Sequence, residues 1–390
     1  MDNSKDLFLE TINLKKVNRY PAGLHWWGIY KYGVLGFDCK MDAWKEGEEL
    51  SKVYSKFYEK FKPDWFHLHI GTPIYFKNSE IIKRDNKSYL MIDSRYRDIK
   101  KEDKYFSVNS SDDEEIVDFP DYLLGSRSYK PKVDLSSKSK IDDYIKKYIH
   151  MDSEEIIKLG YTDHVLKIVE KYKDKVFIAV HIPSAICEIF DPTTGYLGFE
   201  KGLMAFYDYP DGMRYLLERC YEEQLEWAKA YTEVGAHAYI ISESYISPDL
   251  VDPYIYRKFI KGIHRDYFKE IENMGLIPIC MFWGDINPIL EDLTEINIKA
   301  LMMEESKKGF IIDIEKIRKQ IGDRVCIFGN IDSINLLYNG TLEEIRKEVI
   351  KQAKGAKNNF IIANGSPITM GTPEENIKSL INAVKEELWH

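Results

Sequence analysis

Histidines, carboxylates and tryptophans that can move protons, ligate a metal or grip an aromatic ring recur at the ends of short apolar runs in this sequence. His25, Trp26 and Trp27 end one run, His67 and His69 a second, and His181 a third. Glu243 and Tyr245 follow AYIIS, Trp283 and Asp285 follow ICMF, and Glu304 and Glu305 follow ALMM; Asn330 and Ser366 stand at or just after the last two runs. His67 and His69 share one parity, so an extended strand points both to the same face. Inward histidines bind metal, transfer protons or hydrogen-bond within a polar core. His67, nearer the middle of its run, reads as a hydrogen-bonded core group, and His69, nearer the loop, as a functional one. A carboxylate after AYIIS is costly to bury unless it is paired, protonated or metal-bound. Glu243 therefore reads as a general acid or base, or as a metal ligand with His69 and His181; the alternative is a buried pair with a Lys or Arg. Of Glu304 and Glu305, one should enter the site and the other solvate the loop, and parity does not say which. Trp26, Trp27 and Trp283 suggest an apolar or aromatic ligand cavity, with plain core packing as the alternative for each.

Such groups need a scaffold that gathers strand ends. Eight β-rich runs recur at 19–27, 64–71, 175–182, 235–243, 276–283, 298–303, 324–330 and 359–364. Several are almost continuously apolar, as strands covered on both faces are. Amphipathic stretches such as 212–232, 252–274 and 341–357 separate them. Eight strands alternating with helices predict an α/β fold, a (β/α)8 TIM barrel in one domain over 1–390, with its site at the C-terminal strand ends. A doubly wound open sheet is the alternative. Residues 75–135 break the alternation with short extended pieces and the acidic run SSDDEE, and predict a β-rich insertion after the second strand that serves as a lid.

Composition narrows the partners. Of 390 residues, 44% are hydrophobic and 31% charged, which suits a core-forming chain. A net charge of −9 argues against nucleic acid or an anionic membrane as the main partner. Five scattered cysteines without a CxxC pair fit a reducing cytoplasm. No run of about 20 apolar residues is present to span a bilayer. Walker A, GxGxxG, HExxH and GxSxG motifs are also missing.

The order of local patterns carries more. GAHAYIISESYISPDLVDPYIYRKFI, MFWGDINPIL, FGNIDSINLLYNGTLEEIRKEV and ANGSPITMGTPEENIKSLINAV follow one another, after an opening RYPAGLHWW. This series resembles the uroporphyrinogen decarboxylase-like superfamily, most strongly over 235–385. The resemblance implies the barrel and one of two activities: decarboxylation of a porphyrinogen, or cobalamin-linked methyl transfer. It also implies a homodimer. The decarboxylase holds its poly-acid with an Arg-rich segment after the first strand, and closes with Gly-His-Gly. Here those places read LHWWGIYKYG and Gly365-Ser366-Pro367, without the cations that carboxylates require. The thiol-methylating branch binds zinc through His-x-Cys and a later Cys; the matching positions are Met281, Trp283 and Ser366.

These departures favour a corrinoid-dependent methyltransferase of the demethylase type. It would take methyl from a small, methoxylated aromatic donor and pass it to a corrinoid protein. Glu243, His69, His181, Tyr245 and Glu304 are the expected catalytic groups, and His25, Trp26, Trp27, Trp283, Asp285, Asn330 and Ser366 the binding ones. Zinc is the expected metal, at Glu243, His69 and His181. The alternative is a metal-independent decarboxylase or lyase acting on another carboxylate through Arg95, Arg97 or lysines of the lid.

Overall fold

A computed structural model of the chain describes residues 3–26, 47–71, 73–74, 80–84, 87–91, 105–108, 132–192, 195–307 and 309–387. Ten strands occur among them. They are β1 (Trp65–Leu68), β2 (Glu80–Arg84), β3 (Lys87–Met91), β4 (Tyr105–Val108), β5 (Phe177–Pro183), β6 (Ala238–Glu243), β7 (Ile277–Phe282), β8 (Ala300–Met303), β9 (Cys326–Phe328) and β10 (Phe360–Ile361). Seven form one parallel sheet in the order β1-β5-β6-β7-β8-β9-β10. Seven of the eight expected runs supply these strands, and helices connect them in an α/β arrangement.

The remaining run, 19–27, lies between the two sheet edges. On one side Gly23 N donates to Ile362 O and Ile362 N to Pro21 O, both at 2.9 Å. On the other side Asp64 N donates to Ala22 O at 2.9 Å, and the Trp65 indole to Leu24 O at 2.9 Å. The sheet is thus curled, and its edges are joined through this segment. Asp64 fixes the join. Its fully buried carboxylate accepts from Arg19 (2.7 and 2.9 Å), Ala22 N (2.8 Å) and Ser4 Oγ (2.7 Å).

Alternation sorts the side chains into two apolar groups. Trp65, Phe177, Ala238, Ile279, Ala300 and Phe328 fill the inside of the curl. Leu68, Ile178, Tyr239, Ile241 and Leu301 face the helices instead. The helix Ser4–Ile12 plugs the N-terminal end, with Phe8 stacked on Phe177 at 4.9 Å and Trp65 at 5.4 Å. Gly23 is required there, because a Cβ would sit 2.6 Å from Ile361 and 2.9 Å from Phe8.

The expected helices form at Pro210–Glu233 and Leu342–Ala356, the latter opened by a Thr341–Glu344 capping box. The stretch 252–274 is less regular than expected, with a π turn at Tyr256–Ile260 before the helix Lys261–Asn273. Within 75–135, β2, β3 and β4 form an antiparallel sheet. Trp27, Arg95 and Arg97 lie outside the described residues. Among the described residues no helix is long and apolar enough to cross a membrane.

Replacing Asp64 by Ala would leave the Arg19 guanidinium buried without its counter-charge. Removing one partner of a buried pair costs about 3–5 kcal/mol. Urea unfolding of Asp64→Ala should show that loss, and a change below about 1 kcal/mol would remove Asp64 from this role.

Candidate active site

Inward parity brings imidazoles together at the C-terminal strand ends. His67 pairs in register with Ala179, and His181 with Ile240, so both side chains share the face of Trp65 and Phe177. His25 joins them from the closing segment, its backbone clasped by Asn364 through N–H to Oδ1 (2.9 Å) and Nδ2 to O (2.6 Å). His67 Nε2 lies 3.0 Å from His181 Nδ1. One ligand atom from each of His25, His67 and His181 falls within 4.8 Å of the others, and all three residues are buried. His69 stands beside them, its ring 4.6 Å from His67 and 5.1 Å from His181, with Nδ1 3.3 Å from the Tyr54 hydroxyl. His67, read from the sequence as a core group, is thus in the middle of the cluster. The signal was its shared parity with His69.

Trp283 forms the next wall. Its ring is 5.6 Å from His25 and its indole donates to Ser242 Oγ at 2.6 Å. Glu304 and Glu305 are both buried, so neither solvates the loop. Glu304 accepts from Gly284 N at 2.9 Å and pairs with Lys307. Glu305 accepts from Ser366 N at 2.5 Å and Ser366 Oγ at 2.7 Å. Lys307 also donates to Ser366 Oγ at 2.9 Å, which ties the two carboxylates into one rim. Gly284 sits at φ +83°, where a Cβ would strike Asp249 and Ser247. Asp285 beside it accepts from Asn287 N (3.0 Å) and Nδ2 (2.7 Å), holding the turn. Asn330 donates to Glu304 O at 3.2 Å and Ile312 O at 3.0 Å.

Three expected residues point elsewhere. On β6 it is Ser242 that faces Trp283, so Glu243, one residue on, faces the helices. Its fully buried carboxylate accepts from Ser184 Oγ and Tyr221 OH, both at 2.7 Å, and lies 3.0 Å from His264 Nε2. The expected buried partner is therefore a histidine on the helix Lys261–Asn273, and spacing along the chain gives no sign of it. Trp26 packs edge-on against Phe57 at 4.1 Å in the helix layer, and Tyr245 rests against Phe199 at 5.9 Å. Glu243 also bears on a thiol. Burial first, then this carboxylate, push Cys187 up to about 11, so it stays protonated and donates to Ser242 O at 3.1 Å.

Burial, with His25 nearby, holds His181 well below the ordinary imidazole range. Burial likewise lowers His237 to about 4. In both cases the unfolded chain binds protons the native state refuses. Their stabilising effect is full above pH 6.5 and declines as the pH falls through the window below it, by up to about 1.4 kcal/mol per pH unit for each site. Urea unfolding between pH 7 and pH 5 should show a shallower decline for His181→Gln than for the parent chain. Parallel declines would mean that His181 is not kept neutral by burial.

Comparison with known proteins agrees with this architecture. The family model "Uroporphyrinogen decarboxylase (URO-D)" matches residues 131–387. A methylcobamide:CoM methyltransferase MtaA from Methanosarcina barkeri is 32% identical over 165 residues, 42% of this chain and 46% of the relative. A uroporphyrinogen decarboxylase from Chlorobaculum parvum is 27% identical over 274 residues, 68% of this chain and 74% of the relative. The chain thus spans about half the length of the MtaA relatives it matches. A solved structure described as a methyltransferase from Methanosarcina mazei shares the fold over 99% of both chains, with a TM-score of 0.70 at 19% identity. With the family model covering well over half of its length, this chain belongs to the uroporphyrinogen decarboxylase (URO-D) family and is an enzyme.

Proposed function

We propose that this enzyme is a corrinoid-dependent methyltransferase that demethylates a small methoxylated aromatic compound and passes the methyl group to a corrinoid protein. One observation carries the reading: four imidazoles and the Trp283 ring line the inner face at the strand ends. Breaking a methyl–oxygen bond requires a proton or a Lewis acid at the departing oxygen, while the reduced cobalt of the acceptor takes the methyl group. The histidines suit the first need and Trp283 suits an aromatic ring. His67 and His181, 3.0 Å apart, can pass a proton between them, and His69 continues the chain toward Tyr54. Lys307 is occupied by Glu304 and Glu305, so it is poorly placed to hold the several carboxylates of a porphyrinogen. The MtaA relatives, which carry methylcobamide in their name, support the same class of chemistry. In this reading the β2–β4 sheet belongs to a lid over the site.

A second reading, decarboxylation of a smaller acid, is favoured by the similarity to uroporphyrinogen decarboxylases over 68% of the chain. One experiment separates the two. The protein is incubated with a reduced corrinoid protein and a panel of O-, N- and S-methyl donors, and in parallel with carboxylates. Methylation of the corrinoid is expected, with His181→Ala slower by about 100-fold or more, the usual contribution of a general acid or base. Carbon dioxide release without methyl transfer from any donor would replace this reading with the second.

A further inference from the structure

We propose that His25, His67 and His181 form a mononuclear site for a zinc-class divalent cation. The donor set comes first. Three imidazole nitrogens within 4.8 Å of one another suit zinc or its borderline neighbours and exclude magnesium and calcium, which take oxygen ligands. A tetrahedral ion with bonds of about 2.0–2.1 Å holds its ligands about 3.3 Å apart. The His67–His181 separation of 3.0 Å is already close to that value. The widest permitted separation closes by about 1.5 Å, which side-chain rotation supplies.

The backbones of the three ligands are fixed. His67 and His181 are held in register on adjacent strands, and Asn364 clasps the His25 backbone. His25 Nδ1 lies 3.3 Å from Gly365 O, the kind of carbonyl partner that fixes the tautomer of a ligating imidazole. A cation here would replace the proton between His67 and His181 and would supply the Lewis-acid route in place of the proton route, drawing electrons from the departing oxygen of a substrate.

The site differs from both earlier expectations. Of Glu243, His69 and His181, only His181 belongs to it, because Glu243 faces the helices. The zinc ligands implied by the family resemblance would fall at Met281, Trp283 and Ser366, on other elements.

Metal binding can be tested without turnover, so its failure is distinguishable from failure of the methyl-transfer reading. The full chain is stripped with chelator and dialysed against Zn(II) or Co(II), and bound metal is counted by mass spectrometry. One equivalent is expected, with Co(II) giving the visible bands of a tetrahedral ion. His25→Ala, His67→Ala and His181→Ala should each weaken binding by about 100-fold or more, and His69→Ala by less than about tenfold. X-ray absorption of the zinc-loaded parent chain, which does not depend on how variants fold, should show nitrogen and oxygen neighbours alone. No stoichiometric binding, a sulfur neighbour, or loss in His69→Ala but not in His25→Ala would overturn the site.

Discussion

The structure depends on the join between the two edges of the parallel sheet. Segment 20–26 is too short and too irregular to be secured by a long ladder, and among the described residues its bridges are isolated ones. The buried Asp64 carboxylate does the securing, through Arg19, Ala22 N and Ser4. A buried ion pair contributes little net stability over an apolar pair of similar volume. What it contributes here is register. A one-residue slip of the segment would turn Trp26 inward and His25 outward. The distance from Asp64 to the imidazoles is bridged by backbone alone, since Asp64 and His67 share one run of chain.

The same parity rule explains the two faces of β6. Ser242 meets Trp283 inside, while Glu243 meets Tyr221 and His264 outside. Both sides are buried, but they solve burial differently. Outside, a carboxylate is surrounded by hydroxyl and imidazole groups, and three contacts satisfy its lone pairs. Inside, the groups are imidazoles, and burial holds that of His181 well below the ordinary range, so it stays neutral. The carboxylate network therefore clamps β6, the Ser184 turn and the flanking helices, and the imidazole cluster stays chemically available.

The strand runs were legible because strands covered on both faces leave long apolar words in the sequence; seven of the eight marked runs are strands of the sheet, and the eighth, 19–27, makes only isolated bridges. The parity of His67 and His69 was legible for the same reason. The orientation of HWW was not. Three large side chains in a row look alike as cavity lining, and only the closing register makes His25 inward and Trp26 a neighbour of Phe57. Glu304 and Glu305 were undecided because strand alternation ends at Met303. Beyond it the loop turns both carboxylates inward, one to Gly284 and one to Ser366, with Lys307 between them. The partner of Glu243 was hidden because it comes from another helix, which parity within one strand cannot reach.

The base of the curl bears on its chemistry from a distance. The helix Ser4–Ile12 inserts Phe8 under Trp65, Phe177 and Phe328, and Trp65 in turn stacks on His67 at 5.2 Å. Water is therefore excluded from below the imidazoles. Each added proton in such a cluster meets both the desolvation penalty and the charge of its neighbour, as His25 already weighs on His181. The apolar floor therefore makes multiple protonation of the cluster costly.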